Sequence, residues 1–474
     1  SWLKIWLKYA WAISHTLSQL VHPSGFTQML SKICYAPLFL LALESAAAPE
    51  RDNSDSVDLC KYSADLCHIR SYSGLIPVKQ SGGSLFYWFF EAFERNVDNP
   101  LVLWLQGGPG ASSMIGNFFE LGPLSLDRSG HLQPRSVQET WCAEYPLLFI
   151  DSPIGTGWSY AENDADFVRN MADFANDIRI FLERFWVRHP EVTRKLVLAG
   201  ESFAGHWLPA LAAHLLQRSG PWDVHAVVIG DGLTDPVRQV LTKPQEAYAF
   251  GLLDEHQLAH ANALATEAHE LGLAGNFSGA ADARYAMEEF VKNVSGINPY
   301  DVRSTEPYDF ESSMRKFFSE NSTKDLIHVP RNLTFKGYGA DPASTSVKVK
   351  KYLYGEIMKS EVVHIETVLN SGTPMLLHQG QFDWKDGFTS NDAWIRNIKW
   401  QGWRGFLKSH RSNWHRSSDG KLAGYWRRFQ NLEHVLVLGA GHMVPMNQPL
   451  SAIDMLRTFL GRWARSNSSS FIIT

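Results

Sequence analysis

Short, unbroken apolar runs alternate with stretches of helical period along most of this chain. Leu196, Val197, Leu198 and Ala199 predict a buried strand ending at Gly200, and Leu208, Leu211, Ala212 and Leu215 then recur at i, i+3, i+4 and i+7, as on a helix face. Residues 72–76 and 85–90 read as two antiparallel strands. Further strands are expected at 101–105, 145–150, 226–229, 374–378 and 435–438. Helices are expected at 165–188, 246–270 and 450–464, the last with Ile453, Leu456, Phe459 and Leu460 on one face. Such alternation predicts an α/β fold with a mostly parallel central sheet and helices on both faces. From 235 to 370 helices and polar loops interrupt it, which predicts a helical cap inserted over the carboxyl edge of the sheet. The expected organisation is a core in two parts, 72–234 and 371–466, split by this cap. A linker or short pro-segment at 48–71 precedes it, and a polar tail at 467–474 follows.

Composition narrows the class. The chain has 474 residues, 45% of them hydrophobic, enough for a large packed core. A formal net charge of −5 gives no reason to expect a nucleic-acid partner. Residues 29–47 carry the marks of a secretory signal: Lys32, an apolar stretch over 33–43, and the small residues Ser45, Ala46 and Ala47. Cleavage is expected after Ala47, and residues 1–28 read as an upstream extension. The tail lacks an apolar span long enough to anchor in a membrane, so no stable span is expected once the signal is removed. Asn276, Asn293, Asn321, Asn332 and Asn467 head N-x-S/T sequons, which fit a glycosylating compartment, either extracellular or vacuolar/lysosomal. With Cys34 in the signal, Cys60 and Cys67 can close a local loop and leave Cys142 as a buried thiol, although spacing alone does not fix this pairing. Nothing has metal-ligand spacing, and no cofactor is implied.

The chemistry gathers where strands end. Ser202 lies between a strand and a helix in Gly200-Glu201-Ser202-Phe203-Ala204-Gly205, close to the G-x-S-x-G nucleophile elbow but with Ala204 in place of the second glycine. Residues 101–105 run into Gln106-Gly107-Gly108-Pro109-Gly110, a turn able to present backbone N–H groups to an oxyanion. Asp383 follows the strand at 374–378, with Asp386 a near competitor, and His442 follows the strand at 435–438. Serine, acid and histidine thus come in the chain order that α/β-hydrolases use. His442 would take and return the proton, and Asp383 would hold the imidazole in the right tautomer. His206 would be carried away from the hydroxyl by its helix.

These pieces, with Ser112-Ser113, Phe119-Glu120-Leu121-Gly122-Pro123, Asp151-Ser152-Pro153-Ile154-Gly155 on to Tyr160, and Gly441-His442-Met443-Val444-Pro445, resemble the serine carboxypeptidases of the secreted, acid-acting kind. The likeness runs from about Tyr72 to Pro449. It implies an α/β-hydrolase fold and release of C-terminal amino acids from peptides and proteins through an acyl-enzyme at acidic pH. Ser202, Asp383 and His442 match the family's catalytic trio, and the N–H groups of Gly108 and Phe203 match its oxyanion donors. Gln106, Gly107, Glu120 and Glu201 fall where the family binds the substrate's terminal carboxylate. Two adjacent glutamates resist ionising together, so one can stay protonated and donate to that carboxylate.

The chain also departs from the family pattern. Gln106 stands where asparagine is usual, Ala111 where cysteine is frequent and Phe203 where tyrosine is frequent. Two rival readings remain at this level: an acyltransferase on the same scaffold, decided by product analysis with an acceptor alcohol, and a catalytically idle binding relative, decided by organophosphorus labelling of Ser202. Side-chain preference and oligomeric state are not encoded legibly.

Overall fold

The computed structural model describes residues 54–337 and 346–466. The expected leader over 1–47, Asn467 and the tail at 467–474 lie outside them.

Thirteen strands are described: β1 (Ser56–Val57), β2 (Ser71–Pro77), β3 (Ser84–Phe90), β4 (Leu101–Leu105), β5 (Leu124–Leu126), β6 (Leu132–Pro134), β7 (Leu147–Asp151), β8 (Lys195–Glu201), β9 (Asp223–Gly230), β10 (Met375–Gly380), β11 (Ser412–His415), β12 (Leu422–Phe429) and β13 (Leu432–Val437). All but β5 and β6 form one sheet, ordered β1-β2-β3-β7-β4-β8-β9-β10-β13-β12-β11. From β7 to β13 every neighbouring pair is parallel, and antiparallel strands extend both edges. Because successive side chains of a strand point to opposite faces, β4 sends Leu101, Leu103 and Leu105 to one core cluster and Val102 and Trp104 to the other. Both faces of the sheet are therefore covered.

Helices supply the two covers. On the first face lie α1 (Met171–Arg188), α2 (Ala204–Leu216) and later α10; on the second lies α14. Between β9 and β10 come α3 (Pro236–Gln239), α4 (Lys243–Ala249), α5 (Glu255–Leu273), α6 (Phe277–Ser295), α7 (Glu311–Ser319), α8 (Asn321–Leu326), α9 (Val347–Leu353) and α10 (Val362–Asn370). After β10 come α11 (Phe388–Ile395), α12 (Trp403–Lys408), α13 (Val444–Asn447) and α14 (Pro449–Ser466). The fold is thus the α/β-hydrolase arrangement with a helical insertion.

Several boundaries differ from the sequence reading. The segment expected as a linker is built into the fold from residue 54: β1 pairs with β2, Cys60 is bonded to Cys67, and Val57, Leu59 and Leu66 are buried. Buried Asp55 accepts from Tyr87 Oη and lies 2.9 Å from His189 Nε2, which holds this segment against β3 and the end of α1. The helix expected from 165 starts at Met171, because Asn170 caps it through the Asp173 N–H while residues 164–166 form a separate turn. The helix expected over 246–270 is two, α4 and α5, separated by Gly251 at φ 73° and restarted by the Asp254/Gln257 capping box. The expected cap ends at 370, but α10 places Ile365, Val368 and Leu369 in the first core cluster with α2, as a crossover helix leading into β10. No described helix is long and apolar enough to cross a membrane.

Candidate active site

The carboxyl ends of β4, β8, β9, β10 and β13, adjacent in the sheet, carry the candidate residues. β8 delivers Ser202 at φ 62°, in the left-handed region that a non-glycine residue enters only when its surroundings hold it there. Here they do: its N–H donates to Gly230 O at 3.0 Å, and its carbonyl accepts from Gly205 N and Leu233 N, each at 2.9 Å. Ser202 is half-buried. The glycine-rich loop after β4 lies directly on this turn, since a methyl at Gly107 would stand 2.6 Å from Ser202 Cβ and 2.8 Å from Phe203 N. Gly108 then adopts φ 112°. Neither its N–H nor that of Phe203 donates to a described residue.

Asp383 and His442 are joined by their loops. Phe382 N–H donates to Ala440 O at 2.8 Å and Gln381 N–H to Val437 O at 3.0 Å, which ties the turn after β10 to the end of β13. His442 Nδ1 lies 2.8 Å from Asp383 Oδ2, and both side chains are fully buried. Backbone N–H groups of Lys385 and Asp386 donate to the same carboxylate at 2.7 and 3.1 Å. Burial works against charge on His442, yet the Asp383 carboxylate outweighs it and holds the imidazole above its ordinary pKa. Its Nε2 is buried and has no hydrogen-bond partner among the described residues. Asp386, the competing acid, instead faces Arg284 at 3.4 Å.

Glu120, in a π-helical turn (Gly116–Glu120), and Glu201, the last residue of β8, meet over Gln106. The Gln106 amide nitrogen donates to Glu201 Oε1 at 2.8 Å and to Glu120 Oε1 at 3.3 Å, and its oxygen accepts from Trp104 Nε1 at 2.8 Å. Gln106 is therefore spent on holding the glutamate pair. Burial pushes Glu120 up to about 7, against hydrogen bonds from Glu201 and Gln106. Glu201 is raised well above its usual range by burial and then by the charge of Glu120. Among the described residues, no group outside the glutamate pair itself donates to the buried Oε2 of Glu120 or of Glu201.

Other expected positions fall as follows. His206 Nδ1 is bound to Leu233 O at 2.6 Å, and its ring stacks on Phe203. Asn276, Asn293, Asn321 and Asn332 are all exposed, and Cys142 is a buried free thiol. Asp231, Asp383 and His442 offer ligand atoms within 4.8 Å of one another, but Asp383 Oδ2 and His442 Nδ1 are committed to each other.

Three features were not anticipated. A turn of the insertion reaches the site: Pro299 O accepts from Trp384 N and Lys385 N, and Tyr300 O accepts from His442 N at 2.7 Å. A buried ionic cluster joins Lys243 and Arg284 of the insertion, through Glu288, to Lys385 beside Asp383. Asp231, at the end of β9, lies against the acid and the imidazole. In the sequence only the Arg284/Glu288 spacing hinted at any of these.

A family model described as serine carboxypeptidase matches residues 63–462. Serine carboxypeptidase-like 50 of Arabidopsis thaliana is 34% identical over 393 residues, covering 81% of this chain and 86% of the relative. Venom serine carboxypeptidase of Apis mellifera is 30% identical over 460 residues, covering 92% and 95% respectively. Among solved structures, the prohormone-processing carboxypeptidase KEX1 of Saccharomyces cerevisiae superposes with a TM-score of 0.76 at 26% identity, covering 90% of this chain and 98% of that one. With this fold beneath the match, the chain belongs to the serine carboxypeptidase family and is a serine-type carboxypeptidase, a hydrolase acting on peptides and proteins.

Proposed function

We propose that Ser202 attacks the carbonyl of the last peptide bond, that His442 relays the proton and Asp383 orients it, and that the glutamate pair receives the free C-terminus. The observation that carries this reading is the pair itself: two buried glutamates aligned by one amide, Glu120 from the π-helical turn and Glu201 from the end of β8, immediately before Ser202. A protonated glutamate there donates more strongly to a carboxylate than to the neutral carbonyl of a mid-chain peptide bond, which favours chain ends.

Nucleophilic attack transfers the Ser202 proton to His442 Nε2, the ring nitrogen that Asp383 leaves free. The Ser202–His442 hydrogen bond is not formed in the free protein, and bonds of this kind commonly tighten only with substrate in place. The unengaged N–H groups of Gly108 and Phe203 would receive the oxyanion, a contribution on the order of 2.7 to 4 kcal/mol per donor. The protonated imidazole gives its proton to the leaving amine, and water then cleaves the acyl-enzyme on Ser202. Raised glutamate pKa values favour an acid optimum. The exposed sequons and the leader pattern support passage through the secretory pathway, to the cell exterior or to a vacuole or lysosome.

Timed release of amino acids from a mixed peptide at acidic pH tests the reading. Sequential loss of single C-terminal residues is expected from the native chain and none from Ser202→Ala; release by Ser202→Ala, or cleavage within the chain, would refute it.

A further inference from the structure

The loop after β9 binds the nucleophile turn on both sides, through Gly230 O and Leu233 N, and between those residues stands Asp231. Asp231 is wholly buried and held at φ 42°. Its N–H donates to His378 O at 2.8 Å, and its Oδ1 accepts from Gly380 N–H at 2.9 Å, which fixes the carboxyl group between the ends of β9 and β10. Its Oδ2 is buried, and no described residue donates to it. Within 4.8 Å lie the Asp383 carboxylate and the His442 ring. Two carboxyl groups so close in a buried site resist ionising together, and a proton held between them turns one acceptor into a donor.

We propose that Asp231 is a positioning residue that works as a neutral carboxylic acid, donating a hydrogen bond to Asp383 and so weakening the pull of that carboxylate on the His442 proton. The inference rests on the proposed roles of Ser202, His442 and Asp383. It meets a need of that chemistry: a base that works in acid must stay unprotonated, whereas a fully charged Asp383 favours the imidazolium. An ionised Asp231 would add a second negative charge beneath the ring and lock His442 in the form that cannot accept the Ser202 proton.

The groups facing Asp231 agree with this assignment. They are Glu201 from β8, His378 from β10, Asp383 and His442. His378 is buried with both ring nitrogens unpartnered, and burial lowers it to about 3, so it brings no positive charge. Burial first, and then the charge of Asp383, raise Asp231 well above the ordinary carboxyl range. The nearby cations Lys243, Arg284 and Lys385 are paired with Glu288 and Asp386.

The test is the acid limb of kcat/KM on an ester substrate for Asp231→Asn and Asp231→Ala. Asparagine keeps a donor toward Asp383 and an acceptor for Gly380, so its limb should coincide with that of the native enzyme within about 0.3 pH unit. Alanine removes the donor, and the limb should rise by about one unit. A limb lowered by a unit or more in Asp231→Asn would mean that Asp231 is ionised, and an unmoved limb in Asp231→Ala would mean that it does not act on His442; either overturns the proposal. Should the alanine protein not fold, Asp231→Leu, which fills the space without a donor, takes its place with the same expected and overturning results, and a lowered limb in Asp231→Asn still overturns the proposal. Ester hydrolysis that survives Ser202→Ala would indict the catalytic assignment instead, a separate result from an unmoved limb.

Discussion

Raising the pH from about 5 to about 8 should weaken peptide binding far more than ester turnover, and the structure sets the size of the effect. Glu120 is pushed by burial to about 7, and Glu201, beside it, is raised well above its usual range by burial and by the charge of Glu120. At about pH 5 Glu120 is protonated; at about pH 8 roughly nine-tenths of the molecules have lost that proton. A unit charge about 4 Å from the substrate carboxylate is repelled by about 4 kcal/mol at an effective dielectric of about 20. Binding therefore requires the proton to be regained, and KM for a free-acid peptide should rise about tenfold per pH unit above about 7. An ester or amide that hides the carboxylate avoids this penalty. The Glu120→Gln/Glu201→Gln double variant keeps donors and cannot ionise, so its ratio of peptide to ester kcat/KM should be flat over the same range. Initial rates for a matched peptide and ester at half-unit pH intervals measure both. Parallel falls for peptide and ester in the native enzyme, or a steep limb surviving in the double variant, would refute the reasoning.

Other outcomes follow from the same geometry. Asp383→Asn should cost about 10⁴-fold in kcat by favouring the wrong histidine tautomer. Asp386→Asn, which keeps its backbone donation to Asp383, should stay within about tenfold of that of the native enzyme; equal losses in steady-state kinetics would show that the two acids share the role. Gly107→Ala places a methyl 2.6 Å from Ser202 Cβ and must displace the loop proposed to hold the oxyanion, so kcat should fall by about 10²-fold or more while the thermal midpoint shows whether the fold survives. Stability should also depend on pH. Glu120, Asp151 and Glu246 are buried with folded pKa values raised to about 7, so between about pH 4.5 and 7 the folded state holds protons that the unfolded chain releases. Their contribution is present in acid and lost as pH rises through about 7, and the melting temperature should fall by at least several degrees from about pH 5 to 8. A flat or rising melting curve over that range would contradict the burial of these acids.

The site was legible where local sterics write it into residue type. Gly200 is required because a methyl there would meet Leu105 O at 2.1 Å and Ala204 Cβ at 2.9 Å. With glycine at 200 the turn accommodates alanine at 204, while Gly205, against Leu233 O at 2.6 Å, must stay small; the imperfect elbow motif is the same constraint moved by one residue. Strands β4 and β8 were readable because burial on both faces makes them continuously apolar. The hairpin of β11 and β12 was missed, because edge strands mix Trp414 and Trp426 with exposed polar residues and show no clean period. Asp231 looked like a turn residue, and only the convergence of three distant loops reveals its neighbours. The turn at 298–301 was likewise invisible, since it acts through backbone carbonyls that carry no residue signature.

The central claim, that Ser202 is the nucleophile of a carboxypeptidase, is tested most directly by trapping. Mass spectrometry after brief exposure to a slowly deacylating ester at acidic pH should find the acyl group on the peptide bearing Ser202 in the native protein, and none after Ser202→Ala. Acylation at another residue, or an acyl-enzyme that persists unchanged in Ser202→Ala, would contradict the account.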